Sequence, residues 1–191
     1  ADADAVITGT LASAQLGYSL SGAGDLNEDG FEDILVGAYL SGTSFEMGGE
    51  ALVFSGETLV GDDIEDGDAL LRISGTEVNQ IVGVSLAGGM NLDGDSVPDF
   101  VIGASGLAPP TLEPGESVPD GMDSPGRAYV FWGDGLPWGT ATVDEADLVM
   151  AGEVLDDHAG IRVTSPGDAD DDGLDDLLIG TERGQRGVGR A

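Results

Sequence analysis

The stretch Gly24 to Ala38, GDLNEDGFEDILVGA, decides the fold of this chain. It joins an acidic, glycine-bearing turn to a short apolar run, and it recurs twice: as MNLDGDSVPDFVIGA from Met90 and as GDADDDGLDDLLIGT from Gly167. Asp25 and Asn91 lie 66 residues apart, and Asn91 and Asp168 lie 77 apart. A repeat of this size points to a structural unit repeated in space. The likeness extends upstream to LGYSLSGAG, VGVSLAGG and AGIRVTSPG, starting at Leu16, Val82 and Ala159. Downstream lie GEALVFSG from Gly49 and GRAYVFWG from Gly126, and a further apolar segment precedes each unit, AVITGT, ALLRISGT and ADLVMAGE.

Runs such as Ile34-Leu35-Val36 and Phe100-Val101-Ile102 are too short for helices and are bounded by turn residues, so they read as strands. Four strands in each unit predict an all-β chain of β-propeller blades, with a β-solenoid or plain sandwich as the alternative. The expected layout is an outer strand at 5–10, a blade at 16–76, a blade at 82–153 and a partial blade at 159–191. A Pro-rich insertion at 105–126 holds five of the eight prolines.

Composition agrees. Gly fills 33 of 191 positions, which disfavours helices because Gly weakens a helix interior. Acidic residues number 37 against 6 basic, a net charge of −31. Nucleic-acid binding is excluded for want of a basic footprint, and adhesion to anionic lipid falls for the same reason. No apolar run is long enough for a membrane-spanning helix. Cysteine is absent, so no disulfide or thiolate metal site exists.

The acidic turns carry the chemistry. Asp25, Asn27, Asp29 and Asp33 occupy positions one, three, five and nine of the first turn, with the Phe31 carbonyl at seven. The second turn has Asn91, Asp93, Asp95, Val97 and Asp99, and the third Asp168, Asp170, Asp172, Leu174 and Asp176. All-oxygen ligation with several carboxylates suits Ca²⁺ before Mg²⁺. An EF-hand is rejected, because position twelve is Val36, Ile102 or Ile179 and strands flank the turn. Carboxylates about 4 Å apart repel by roughly 4 kcal/mol per pair at an effective dielectric near 20, so an ion would order each loop. Three calcium sites are expected. The second is the weakest, since Gly94 sits at position four and Ser96 replaces the turn glycine.

These residues resemble the FG-GAP repeat of integrin alpha-subunit propellers and their bacterial relatives. Leu16-Gly17 and Val82-Gly83 stand where that family has Phe-Gly. Gly37-Ala38-Tyr39 and Gly103-Ala104-Ser105 stand where it has Gly-Ala-Pro, and Gly180-Thr181-Glu182 departs further. The resemblance implies a propeller whose loop between the first two strands of a blade binds Ca²⁺, but fold alone does not fix activity.

The function expected from these readings is an extracellular interaction or adhesion scaffold of bacterial type, at the cell surface, secreted or periplasmic, with a protein or glycan ligand. The alternative is a lectin or glycan-acting enzyme on the same scaffold. An enzyme finds little support: there is one histidine, no cysteine and no GxSxG elbow. No catalytic residue is assigned. The acidic residues Glu113, Glu116, Asp120 and Asp123 of the insertion would face a partner, or form a variable surface loop. Trp132 is expected to pack in a blade and His158 to be a turn residue. Three units fall short of the four to eight blades that close a propeller. Either the chain, which opens at Ala1, is part of a longer propeller, or two copies close six blades as a homodimer with 5–10 of one finishing the last blade of the other.

Overall fold

The computed structural model describes residues 5–42, 45–59, 63–106, 124–154 and 157–182. They contain strands and short 3-10 turns, with no α-helix among them. The strands are β1 (Val6–Thr8), β2 (Ser19–Gly24), β3 (Asp33–Ala38), β4 (Glu50–Phe54), β5 (Asp63–Glu65), β6 (Leu71–Ser74) and β7 (Val82–Met90). There follow β8 (Asp99–Ala104), β9 (Arg127–Phe131), β10 (Gly139–Thr142), β11 (Leu148–Ala151), β12 (Arg162–Gly167) and β13 (Asp176–Gly180).

One blade is the antiparallel series β2-β3-β4-β6, and the next is β7-β8-β9-β11. A third begins with the antiparallel pair β12-β13. The described residues are all-β in open sheets, consistent with propeller blades of the FG-GAP type. The structure adds a short strand, absent from the sequence reading, between the third and fourth of each full blade. β10 pairs in parallel with β6 of the preceding blade, and β5 pairs in the same way with β1. β1 thus stands to the first blade as β6 stands to the second.

The central strands β3, β4, β8 and β9 read as unbroken apolar runs because both their faces are covered. Leu35, Val53 and Leu71 face Leu86, Phe100, Ile102 and Phe131 in the core between the two full blades. The alternate residues Val36, Leu52 and Phe54 pack with Ile64 on the other face. Val101 and Val130 turn toward Val163 of the third unit, with Leu177 and Ile179 beside them. Phe100 and Phe131 stack with ring centroids 5.3 Å apart.

A repeated latch sets the spacing of the blades. Ser19 Oγ donates to the Gly83 carbonyl at 2.6 Å, and Ser85 Oγ donates to the Gly160 carbonyl at 2.7 Å. Gly37 and Gly103 lie under these bonds, where a Cβ would strike both the serine oxygen and the carbonyl. Arg162 takes the serine's place in the third unit.

Candidate metal centre

All three acidic loops lie at one end of the sheets, each between the first two strands of its unit: β2-β3, β7-β8 and β12-β13. β8 ends and β9 begins at the opposite end, where the sequence carries the insertion. Its residues 107–123, including Glu113, Glu116, Asp120 and Asp123, lie outside the described residues.

The first and third loops share one hydrogen-bond pattern. Asp25 accepts the N–H groups of Asp29 at 3.0 Å and Gly30 at 2.9 Å. Asp168 accepts those of Asp172 at 3.0 Å and Gly173 at 2.9 Å. Position three assists, with Asn27 and Asp170 accepting the same Asp29 and Asp172 N–H groups. Position five holds the residue at seven: Asp29 takes the Phe31 N–H at 2.8 Å, and Asp172 takes the Leu174 N–H at 2.9 Å. Gly30 and Gly173 turn the chain at φ +93° and +97°, a conformation glycine adopts without strain.

The second loop is built differently. All three loops are left-handed at position four, at Glu28 (φ +57°), Gly94 (+92°) and Asp171 (+61°), but Ser96 at position six does not take that conformation. Asn91 Oδ1 consequently accepts the Gly94 N–H at 2.8 Å, while Asp95 still holds the Val97 N–H at 2.8 Å.

Position nine anchors each loop to its sheet. Asp33 is fully buried and accepts N–H groups from Leu26 at 3.0 Å and Gly56 at 3.1 Å. Asp99 does the same for Leu92 at 2.6 Å and Gly133 at 3.1 Å, and Asp176 accepts from Ala169 at 2.8 Å. Burial pushes the Asp33 and Asp99 carboxyls above the usual range, against the pull of those N–H bonds. Asp29 moves the other way, lowered first by the Phe31 N–H and then by Asn27.

The loops differ in how they gather charge. Carboxylate oxygens of Asp168, Asp170 and Asp176 lie within 4.8 Å of one another. In the second loop the trio is Asp93, Asp95 and Asp134, to the same limit. Asp134 sits in the turn after β9 and was missed from sequence. The available signal was the alignment of Gly133-Asp134-Gly135 with Gly56-Glu57-Thr58. Among the described residues no trio closes this far in the first loop. There Asn27 occupies position three, and its Nδ2 and Ser55 Oγ both donate to Asp29 Oδ2, at 2.9 and 3.0 Å. The donor sets are oxygen alone, which fits a hard divalent cation.

Trp132 packs half-buried against the core between the second and third units, whereas Trp138 is exposed. His158 is buried at φ +52°, with Nδ1 3.7 Å from a Glu182 carboxylate oxygen.

Comparison with known proteins bears on the same segments. The FG-GAP repeat family profile matches residues 16–54, from just before β2 to the end of β4. Integrin alpha-5 of Xenopus laevis is 33% identical over 103 residues, covering 53% of this chain and 10% of that protein. Integrin alpha-7 of Mus musculus is 36% identical over 92 residues (48% and 7%), and integrin alpha pat-2 of Caenorhabditis briggsae 34% over 97 (47% and 7%). The chain therefore spans about a tenth or less of the length of these relatives. The repeated loops, the blade sheets and these matches together identify an FG-GAP, integrin-alpha-like region in this chain.

Proposed function

We propose that this chain is a calcium-binding, non-enzymatic propeller module serving as an extracellular interaction or adhesion scaffold. The observation that carries the reading is the acidic loop built three times between two strands, with a carboxylate trio gathered at the second and third. Asp25, Asn27, Asp29 and Asp33 would hold one ion. Asn91, Asp93, Asp95 and Asp99, joined by Asp134, would hold a second, and Asp168, Asp170, Asp172 and Asp176 a third. The carbonyls of Phe31, Val97 and Leu174 would complete the shells. A bound Ca²⁺ supplies positive charge that offsets carboxylate repulsion and locks the turn. The second site remains the weakest in this reading, with an amide at position one, although Asp134 partly offsets the deficit. External calcium suits loops of modest affinity, and salty surroundings screen the excess negative charge. No helix among the described residues is long and apolar enough to cross a membrane.

Native mass spectrometry, with and without chelator, tests the reading. Three calcium ions per chain and a melting temperature several degrees higher with calcium are expected. A metal-free spectrum in millimolar calcium, with an unchanged melting temperature, would overturn it.

A homodimer is the partner arrangement we favour. Among the described residues β1 lacks the antiparallel neighbour that β4 provides to β6, and β13 has one edge unpaired. A second copy's β12-β13 unit could share a blade with β1.

A further inference from the structure

The three loops are not equally independent, and two of them are tied together. Asp175, position eight of the third loop, reaches across the boundary between units to Asn91, position one of the second. Its N–H donates to the Asn91 carbonyl at 2.8 Å, and its carboxylate Oδ2 accepts the Asn91 N–H at 2.8 Å. The neighbouring Leu174 lies over Gly94, whose added Cβ would come within 3.3 Å of Leu174 Cδ2.

The junction between the first and second loops is built otherwise. Position eight there is Pro98, which has no N–H to donate. It rests on Gly24, where an added Cβ would come within 2.8 Å of the proline Cβ. Among the described residues no hydrogen bond joins those two loops.

Resting on the calcium reading above, we propose that Asp175 is a positioning residue that couples cation binding in the third loop to cation binding in the second. Leu174 and Asp176, on either side of it, belong to the third ligand set. An ion that orders 174–176 fixes the Asp175 backbone and carboxylate together. That clamp holds both polar backbone groups of Asn91, and so the start of the second ligand set. The second loop has most to gain, because it lacks the position-six glycine that shapes the other two. Reciprocity follows: an ion in the second loop raises the affinity of the third by the same factor.

The test is a calcium titration of the ¹⁵N-labelled chain by NMR, with the amides of Gly30, Gly94 and Gly173 reporting the three loops. Disabling the third loop with Asp170→Ala and Asp172→Ala is expected to raise the Gly94 midpoint about fivefold or more, the lower end of ordinary coupling. The Gly30 midpoint stays unchanged. Asp175→Pro copies the residue already found in the second loop and removes the N–H. In that background the Gly94 midpoint is raised from the outset, and disabling the third loop adds nothing. Asp175→Asn keeps the N–H and an acceptor oxygen, and therefore keeps the coupling, which a pure charge effect would not. A Gly94 midpoint indifferent to loss of the third loop, or coupling undiminished by Asp175→Pro, refutes the proposal while the calcium reading stands. Absence of calcium shifts at all three glycines refutes both.

Discussion

Asp33 and Asp29 stand in one loop and do different work. Asp33 is buried with an N–H group on each carboxylate oxygen, whereas Asp29 is exposed at the loop tip. Asp33→Ala strands two donors, each costing about 1–3 kcal/mol. It is expected to lower stability by roughly 2–5 kcal/mol even in chelator, as read by urea unfolding. Asp29→Ala is expected to leave the melting temperature in chelator near wild type and to abolish the first loop's share of the calcium-induced rise. Equal losses in chelator for the two variants would contradict this division. Both residues were legible in sequence as candidate ligands, but their difference in burial was not, because spacing along a turn does not say which carboxylate tucks under its sheet. Tyr129 makes a pH prediction. Burial raises its phenol, against the Arg127 and Gln80 bonds, and burial also raises Tyr39. An acid harder to ionise when folded has no effect below the unfolded value of about 10, and stability then falls as pH rises above it. Tyr129→Phe should flatten that alkaline decline in melting temperature. At neutral pH it should cost about 1 kcal/mol by leaving Gln80 Nε2, now 2.7 Å from the phenol oxygen, without its partner.

At the scale of elements, the latch between inner strands explains sequence features whose purpose the repeat alone does not disclose. Gly37-Ala38 and Gly103-Ala104 recur because the bond from a serine of the same blade to a carbonyl of the adjoining one passes directly over the glycine. Gly103→Ala is expected to destabilise the chain by about 1–3 kcal/mol through overpacking. Ser85→Ala should cost about 1 kcal/mol, the worth of one hydrogen bond. Denaturant unfolding of both variants gives the comparison, and a Gly103→Ala chain as stable as wild type would show that the blades separate more easily than the packing implies. The apolar runs were readable as strands because turn residues bound them. The short strands β5 and β10 were not, since each buries a single apolar side chain, Ile64 or Ala141, and owes its place to the neighbouring sheet.

For the whole molecule, the exposed edges carry the expectation. Leu148 and Val149 on β11 are 45% and 46% exposed, although the corresponding strand β6 is covered by β10. Uncovered edges of this kind invite strand pairing. Light scattering at micromolar concentration in calcium is expected to give a mass near twice the 19.3 kDa of one chain. A monomer under those conditions would remove the homodimer and leave completion by further sequence as the remaining account of the open sheets.

Taken alone, the order of residues determined three turn-and-strand units and the acidic, oxygen-bearing turns that open them, because each of these is written within a few neighbouring positions. Tertiary structure alone decided that Asp134 joins the second loop, that Asp175 clamps Asn91 across 84 residues of chain, and that β10 docks on β6. Those contacts join segments far apart in the chain. The packing of one blade on the next selects them, and no local pattern encodes that choice.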